Sequence, residues 1–179
     1  MPILTTVVPI ERELYHENGG EIVFLKRLFV LLIFLFIAIS LFGETIFVSP
    51  YEDYVEDDRT ASLEFSKFLT DSLMGVLFEE GNIVFSKETA VSEINRVQDV
   101  QHAYDTGAGI VIQVQLIYDY NANAETMFPV SAEYIVIDVD EHHAVIEDSF
   151  VFTLEEPGLN EETAQSAGIA IGRSISERL

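Results

Sequence analysis

Asp138, Asp140, Glu141, His142 and His143 form the one cluster of histidines and carboxylates in this chain of 179 residues. Imidazole nitrogen with carboxylate oxygen is the donor set that holds zinc and related divalent ions. Asp138, Asp140, His142 and His143 are therefore the candidate metal ligands. Against this, adjacent histidines on an extended chain point to opposite faces, so both rarely reach one ion. The same residues also suit a solvated hairpin tip. His16 and His102 supply no third ligand from sequence alone. A second acidic group, Glu52, Asp53, Glu56, Asp57 and Asp58, offers oxygens to calcium or a charged surface to a basic partner. It lacks the alternating Asp/Asn ligands, central glycine and closing glutamate of a calcium-binding EF-hand loop. A solvated, mutually repulsive face is the plainer reading of that stretch, with recognition of a basic partner as its functional alternative to calcium.

Other chemistries find little support. No Gly-x-Ser-x-Gly elbow is present, and no serine is framed by a plausible base. Carboxylate pairs are too abundant to single out an acid/base couple of the glycosidase kind. Gly107-Ala108-Gly109 precedes an apolar run instead of following one, and the third glycine of a dinucleotide loop is missing. No pattern calls for a cofactor, and catalytic residues are not assigned.

Composition narrows the field. Asp and Glu number 31 against 9 Lys and Arg, a formal net charge of -22. Such a chain is a poor partner for nucleic acid, whose phosphates are met by Lys and Arg. With no cysteine there is no disulfide, thiol nucleophile or Cys-type metal site. A hydrophobic share of 49% is too high for an acidic disordered chain and implies a packed core.

The run LFVLLIFLFIAISLFG at 28–43 carries no charge and follows Lys26-Arg27 directly. Its 16 residues would span roughly 24 Å as a helix, short of a hydrocarbon core of roughly 30 Å. Residues 25–43 therefore read as a cleaved export signal in preference to a membrane anchor, with Ala38 and Ser40 placed for cleavage before Leu41. Residues 1–24, with four Glu, are long for a signal leader. They lie upstream of the true start or form a short cytoplasmic tail. Residues 44–179 are then the exported domain, in the periplasm or cell envelope, touching membrane only through 28–43 if that run is not removed.

That domain is expected to be a single α/β (α+β) unit in the order β-α-β-α-β-β-β-α. Thr45–Ser49 reads as a strand stopped by Pro50, and Tyr51–Asp58 as an acidic loop. Phe65, Phe68, Leu69, Leu73, Val76 and Leu77 recur at helical spacing within Ala61–Glu79, which Gly81 closes. Asn82–Ser86 is a second strand. Helical turns follow between Glu88 and Tyr104, with Val97, Val100 and Tyr104 as their apolar rhythm. Ile110–Tyr118 alternates strictly, one face apolar and the other carrying Gln113 and Gln115, so a buried side and a half-wet side are expected. Val130–Asp140 and Ala144–Thr153 read as a hairpin. Asn160 caps a last helix, Glu161–Leu179, whose stripe of Ala164, Ala167, Gly168, Ile171 and Ile175 is small enough to lie close on a sheet. The result is a mixed sheet with helices packed on it, its first two strands parallel.

Over residues 45–179 the chain resembles the envelope domain shared by the curli secretion subunit CsgG, the TolB N-terminal domain, the activator LpoB and FlgO-like proteins. The resemblance is carried by VSPYED at 48–53, DSLMGVLFEEGNIVFSKE at 71–88 and TGAGIVIQVQLIYDY at 106–120. It implies a structural, assembly or activating module, not an enzyme, working with envelope proteins or with itself. This chain departs from the family in having no cysteine for lipid attachment and no long hairpin insertions for a secretion barrel. The resemblance therefore implies the bare domain. The alternative is a periplasmic protein binding a metal or small ligand through the acidic loop at 52–58 or the hairpin tip at 138–143.

Overall fold

The computed structural model describes residues 27–30, 43–53, 59–91, 94–121, 126–152 and 160–179. The chain divides into two units, Met1–Leu41 and Phe42–Leu179. Within the first, the described residues form one helical turn. The export-signal reading of 25–43 falls mostly outside the described residues. Among these, no helix is long and apolar enough to cross a membrane.

The second unit is an α+β domain with strands β1 (Thr45–Asp53), β2 (Ile83–Ser86), β3 (Ala90–Val91), β4 (Ile110–Asn121), β5 (Thr126–Asp138) and β6 (His143–Val151). Its helices are α1 (Arg59–Glu79), α2 (Arg96–Thr106) and α3 (Glu161–Ser176). The sheet runs β2-β1-β4-β5-β6, with the short β3 also paired to β1. β1 is parallel to β2, β3 and β4, whereas β4–β5 and β5–β6 are antiparallel. The sheet is mixed and the opening β-α-β strands are parallel, as the alternation predicts.

β1 does not stop at Pro50. It continues to Asp53, with Pro50 level with Val114 of β4. Proline cannot donate to a ladder and survives in a strand only where no partner needs its N–H. On the side away from β4, β2 pairs with β1 through Val48 and β3 begins at Tyr51. Pro50 sits in that gap. Tyr51, Glu52 and Asp53 are therefore strand residues, not loop.

The two sheet faces are covered unequally. On the first, Ile46, Val48, Ile112, Val114, Leu116, Tyr134 and Val136 pack against Phe65, Leu69, Leu73 and Leu77 of α1 and Ala164, Ala167, Ile171 and Ile175 of α3. The expected small stripe on α3 is buried, but its glycines serve a neighbouring helix and not the sheet. A Cβ at Gly168 would overlap the Leu69 carbonyl oxygen of α1, and one at Gly172 would stand 2.9 Å from Val76 Cβ. α3 is capped by Asn160, whose Oδ1 accepts from Thr163 N–H at 2.7 Å. It ends at Ser176, three residues before the terminus.

On the second face a smaller cluster, Phe47, Val111, Ile137 and Val139, is covered by Ala103 of α2 and by Ala108. α2 ends on Gly107, at φ 77°, a left-handed conformation that favours glycine. One eleven-residue helix cannot cover this face. On β5 and β6, Glu133, Glu147, Ser149 and Val151 remain exposed.

Candidate interaction face

The second face holds the densest buried polar group of the domain. Asp99 of α2 is only 2% exposed. Its Oδ2 accepts from Ser49 Oγ at 2.7 Å, Tyr51 OH at 2.6 Å and Gln113 Nε2 at 2.6 Å. Its Oδ1 accepts from Lys87 Nζ at 2.7 Å. Lys87 Nζ also donates to Tyr51 OH at 2.8 Å and lies 4.2 Å from the centroid of that ring. Tyr51 OH accepts from Asn95 N–H as well, at 3.3 Å. β1, β4, the segment after β2 and the start of α2 thus converge on one carboxylate.

Burial by itself pushes the Asp99 carboxyl up, but the bonds from Lys87, Tyr51, Gln113 and Ser49 outweigh it and hold it below the usual aspartate range. Burial likewise pulls Lys87 down, and the bonds to Asp99 and Tyr51 outweigh that, leaving it above the ordinary lysine range. A serine, a lysine and an aspartate so close together invite a catalytic reading. The geometry opposes it. Ser49 is fully buried, and Lys87 held as a cation is no base for it. The group pins α2 to the sheet.

That pin explains an inversion. Val97, Val100 and Tyr104 recur at helical spacing, the pattern that ordinarily marks the inner face of a helix. Instead Val97 is 82% exposed and Tyr104 65%, with Val100 half-buried. The residues α2 buries are Asp99 and Ala103. Gln113 is correspondingly buried under α2, and not half-wet as the alternation of β4 suggests; Gln115 is half-buried. Two open troughs flank the helix. One, of about 510 Å³, lies toward the β5–β6 hairpin over Ile137. The other, of about 690 Å³, lies toward β1 and Lys87.

Of the acidic residues singled out in the sequence, Glu52 and Asp53 are described, and one is buried and the other exposed. Glu52 is buried on the first sheet face, its Oε2 accepting from Ser62 Oγ of α1 at 3.2 Å. Burial lifts its pKa above the ordinary glutamate range, against hydrogen bonds from Ser62, Tyr118 and Ser66. Buried in this way, Glu52 offers no surface to a partner. Asp53 is exposed at the end of β1. Glu56, Asp57 and Asp58 lie outside the described residues.

At the hairpin tip, Asp138 Oδ1 accepts from the Glu141 N–H at 2.9 Å, which shapes the turn. His142 has φ 55° and lines the trough beside α2, whereas His143 Nδ1 lies 3.3 Å from Glu141 Oε2. Asp140 is exposed. Among the described residues no group of three His, Asp or Glu side chains is placed to hold an ion.

The buried group around Asp99 was missed in the sequence because its partners are scattered. Ser49 and Gln113 are polar residues between apolar neighbours on their strands, and Asp99 lies four residues before Ala103. Those three interruptions are the signal that was available.

No protein-family model matches the chain, and no curated protein does. Solved structures that resemble it include lipoprotein GNA1162 from Neisseria meningitidis, at 14% identity and a TM-score of 0.46, over 75% of this chain and 99% of that one. The PelC dodecamer from Paraburkholderia phytofirmans matches at 12% and 0.44, over 73% and 84%. TolB from Acinetobacter baumannii matches at 13% and 0.37, over 76% of this chain and 28% of TolB. At these scores the likenesses carry no argument about what this chain binds or does.

Proposed function

We propose that the domain is a non-enzymatic protein-interaction module of the cell envelope, exported by the segment at 25–43, in a structural, assembly or activating role. The observation that carries this reading is the inverted helix α2. A helix usually turns its apolar residues inward and its carboxylates out. Here a carboxylate is buried and the large apolar side chains are held in water, beside a sheet face only partly covered. Holding Val97 and Tyr104 exposed on a pinned helix offers a pre-ordered contact surface, and pre-ordering lowers the cost of association. The strand β6 borders the same region, and among the described residues it is an edge strand whose outer ladder side pairs with no other strand.

A photoreactive residue at position 97 or 104, introduced in the native cells, tests this. Cross-links to a small, reproducible set of envelope proteins are expected from both positions. Few or none are expected from 63 and 78, exposed apolar positions on α1. Absence of adducts from 97 and 104, or the same adducts from 63 and 78, would refute the assigned face.

A further inference from the structure

The trough between α2 and the β5–β6 hairpin has an apolar floor and wall: Ile137, Val97, Val100 and Tyr104. Its surroundings are acidic. Asp140 and Glu141 precede His142 of its wall, and Glu147 of β6 lies 3.6 Å from Arg96, also of its wall, whereas Asp105 lines the other trough. Asp140, Glu141 and Glu147 are exposed, and Arg96 is already matched to Glu147. The unit from Phe42 onward carries 27 acidic and 6 basic side chains.

Resting on the reading above, we propose that this trough seats a large apolar side chain presented by a positively charged segment of a different protein. The apolar wall supplies the anchor pocket, and the carboxylates supply complementary charge at the rim. A second copy of this chain fits less well, because it brings an equally acidic surface against the first. Lysine or arginine on either side of a leucine, phenylalanine or tryptophan is the pattern that meets both features.

The chain has no tryptophan, so a tryptophan in a probe peptide reports alone. The test titrates the protein, as isolated from its cells, into Lys-Lys-Leu-Trp-Leu-Lys-Lys and follows tryptophan emission. A saturable blue shift is expected that weakens as salt rises. Val97→Ser or Tyr104→Ser should weaken it about tenfold, the loss of one anchor contact of roughly 1.4 kcal/mol. Melting curves of both variants should match the parent, so that lost binding is not lost folding. The counterpart with glutamates for lysines should not bind.

No saturable shift, equal binding of the acidic peptide, or indifference to both substitutions would overturn the proposal. So would cross-links from 97 and 104 that lead only to a second copy of this chain. In each case cross-linking from those positions would still uphold the interaction face. Its absence would bring down the face itself.

Discussion

Replacing Asp99 with alanine is expected to lower the melting midpoint by about 10 °C or more. The change removes the acceptor of four donors at once and leaves Ser49, Tyr51 and Gln113 buried without it. Removing one partner of a buried ion pair typically costs about 3–5 kcal/mol. Each kcal/mol shifts the midpoint of a domain of this size by roughly 3–5 °C. Thermal unfolding followed by circular dichroism measures this directly. A fall of only a degree or two would mean that α2 is held by Ala103 and its apolar neighbours and not by the carboxylate.

Acid provides a second reading of the same pin. The folded-state pKa of Asp99 is depressed, so its contribution is present above the ordinary aspartate range near about pH 4 and is lost as pH falls through the folded value. Lys87 is raised, so its share is complete below the ordinary lysine range and disappears in strong alkali. Glu52 works in the opposite sense in acid. Its pKa is raised, so protonating it relieves the fold as pH drops toward the ordinary glutamate range. The gap between parent and Asp99→Ala should therefore be full near neutrality and close only below about pH 4. A gap independent of pH down to strong acid would contradict a charged pin.

Gly168→Ala and Gly75→Ala should move stability in opposite directions although both glycines are helical. At Gly168 the new methyl would overlap the Leu69 carbonyl oxygen and stand 2.9 Å from Ser72 Cβ, so α1 and α3 must part. Overpacking of this kind costs about 1–3 kcal/mol, and valine there should cost more. At Gly75 nothing lies within 4 Å of the added methyl, and alanine should stabilise α1 by about 0.5–1 kcal/mol. Denaturant midpoints measured on both variants would decide it. A neutral Gly168→Ala would mean that the two helices are not in close contact.

Much of this fold was legible because its cues are local. The alternation of Ile110 to Tyr118, the glycine at 81 and the asparagine at 160 each act within a few residues of themselves, and the structure places a strand, a left-handed stop and a cap there. What escaped depends on distant partners. Pro50 marked the end of a strand only as long as β2 and β3 were not known to meet β1 on either side of it. Val97, Val100 and Tyr104 kept a helical rhythm, but rhythm cannot say which face is inward. That was decided by Asp99, whose partners Ser49, Lys87 and Gln113 lie 50, 12 and 14 residues away. The acidic stretch misled for the same reason, since Glu52 belongs to a strand and to Ser62 of the following helix.

The most direct test of the interaction face is the double substitution Val97→Asp/Tyr104→Asp, made in the native cells. Both side chains point into water, so the melting midpoint should stay within the reach of about 0.5 kcal/mol expected of surface changes. Complexes containing the protein, sized in gently prepared cell extracts, should collapse toward the mass of the free chain while the parent stays in larger assemblies. Assemblies that persist unchanged in the folded double variant, or a parent that is already free, would contradict the role proposed for this face.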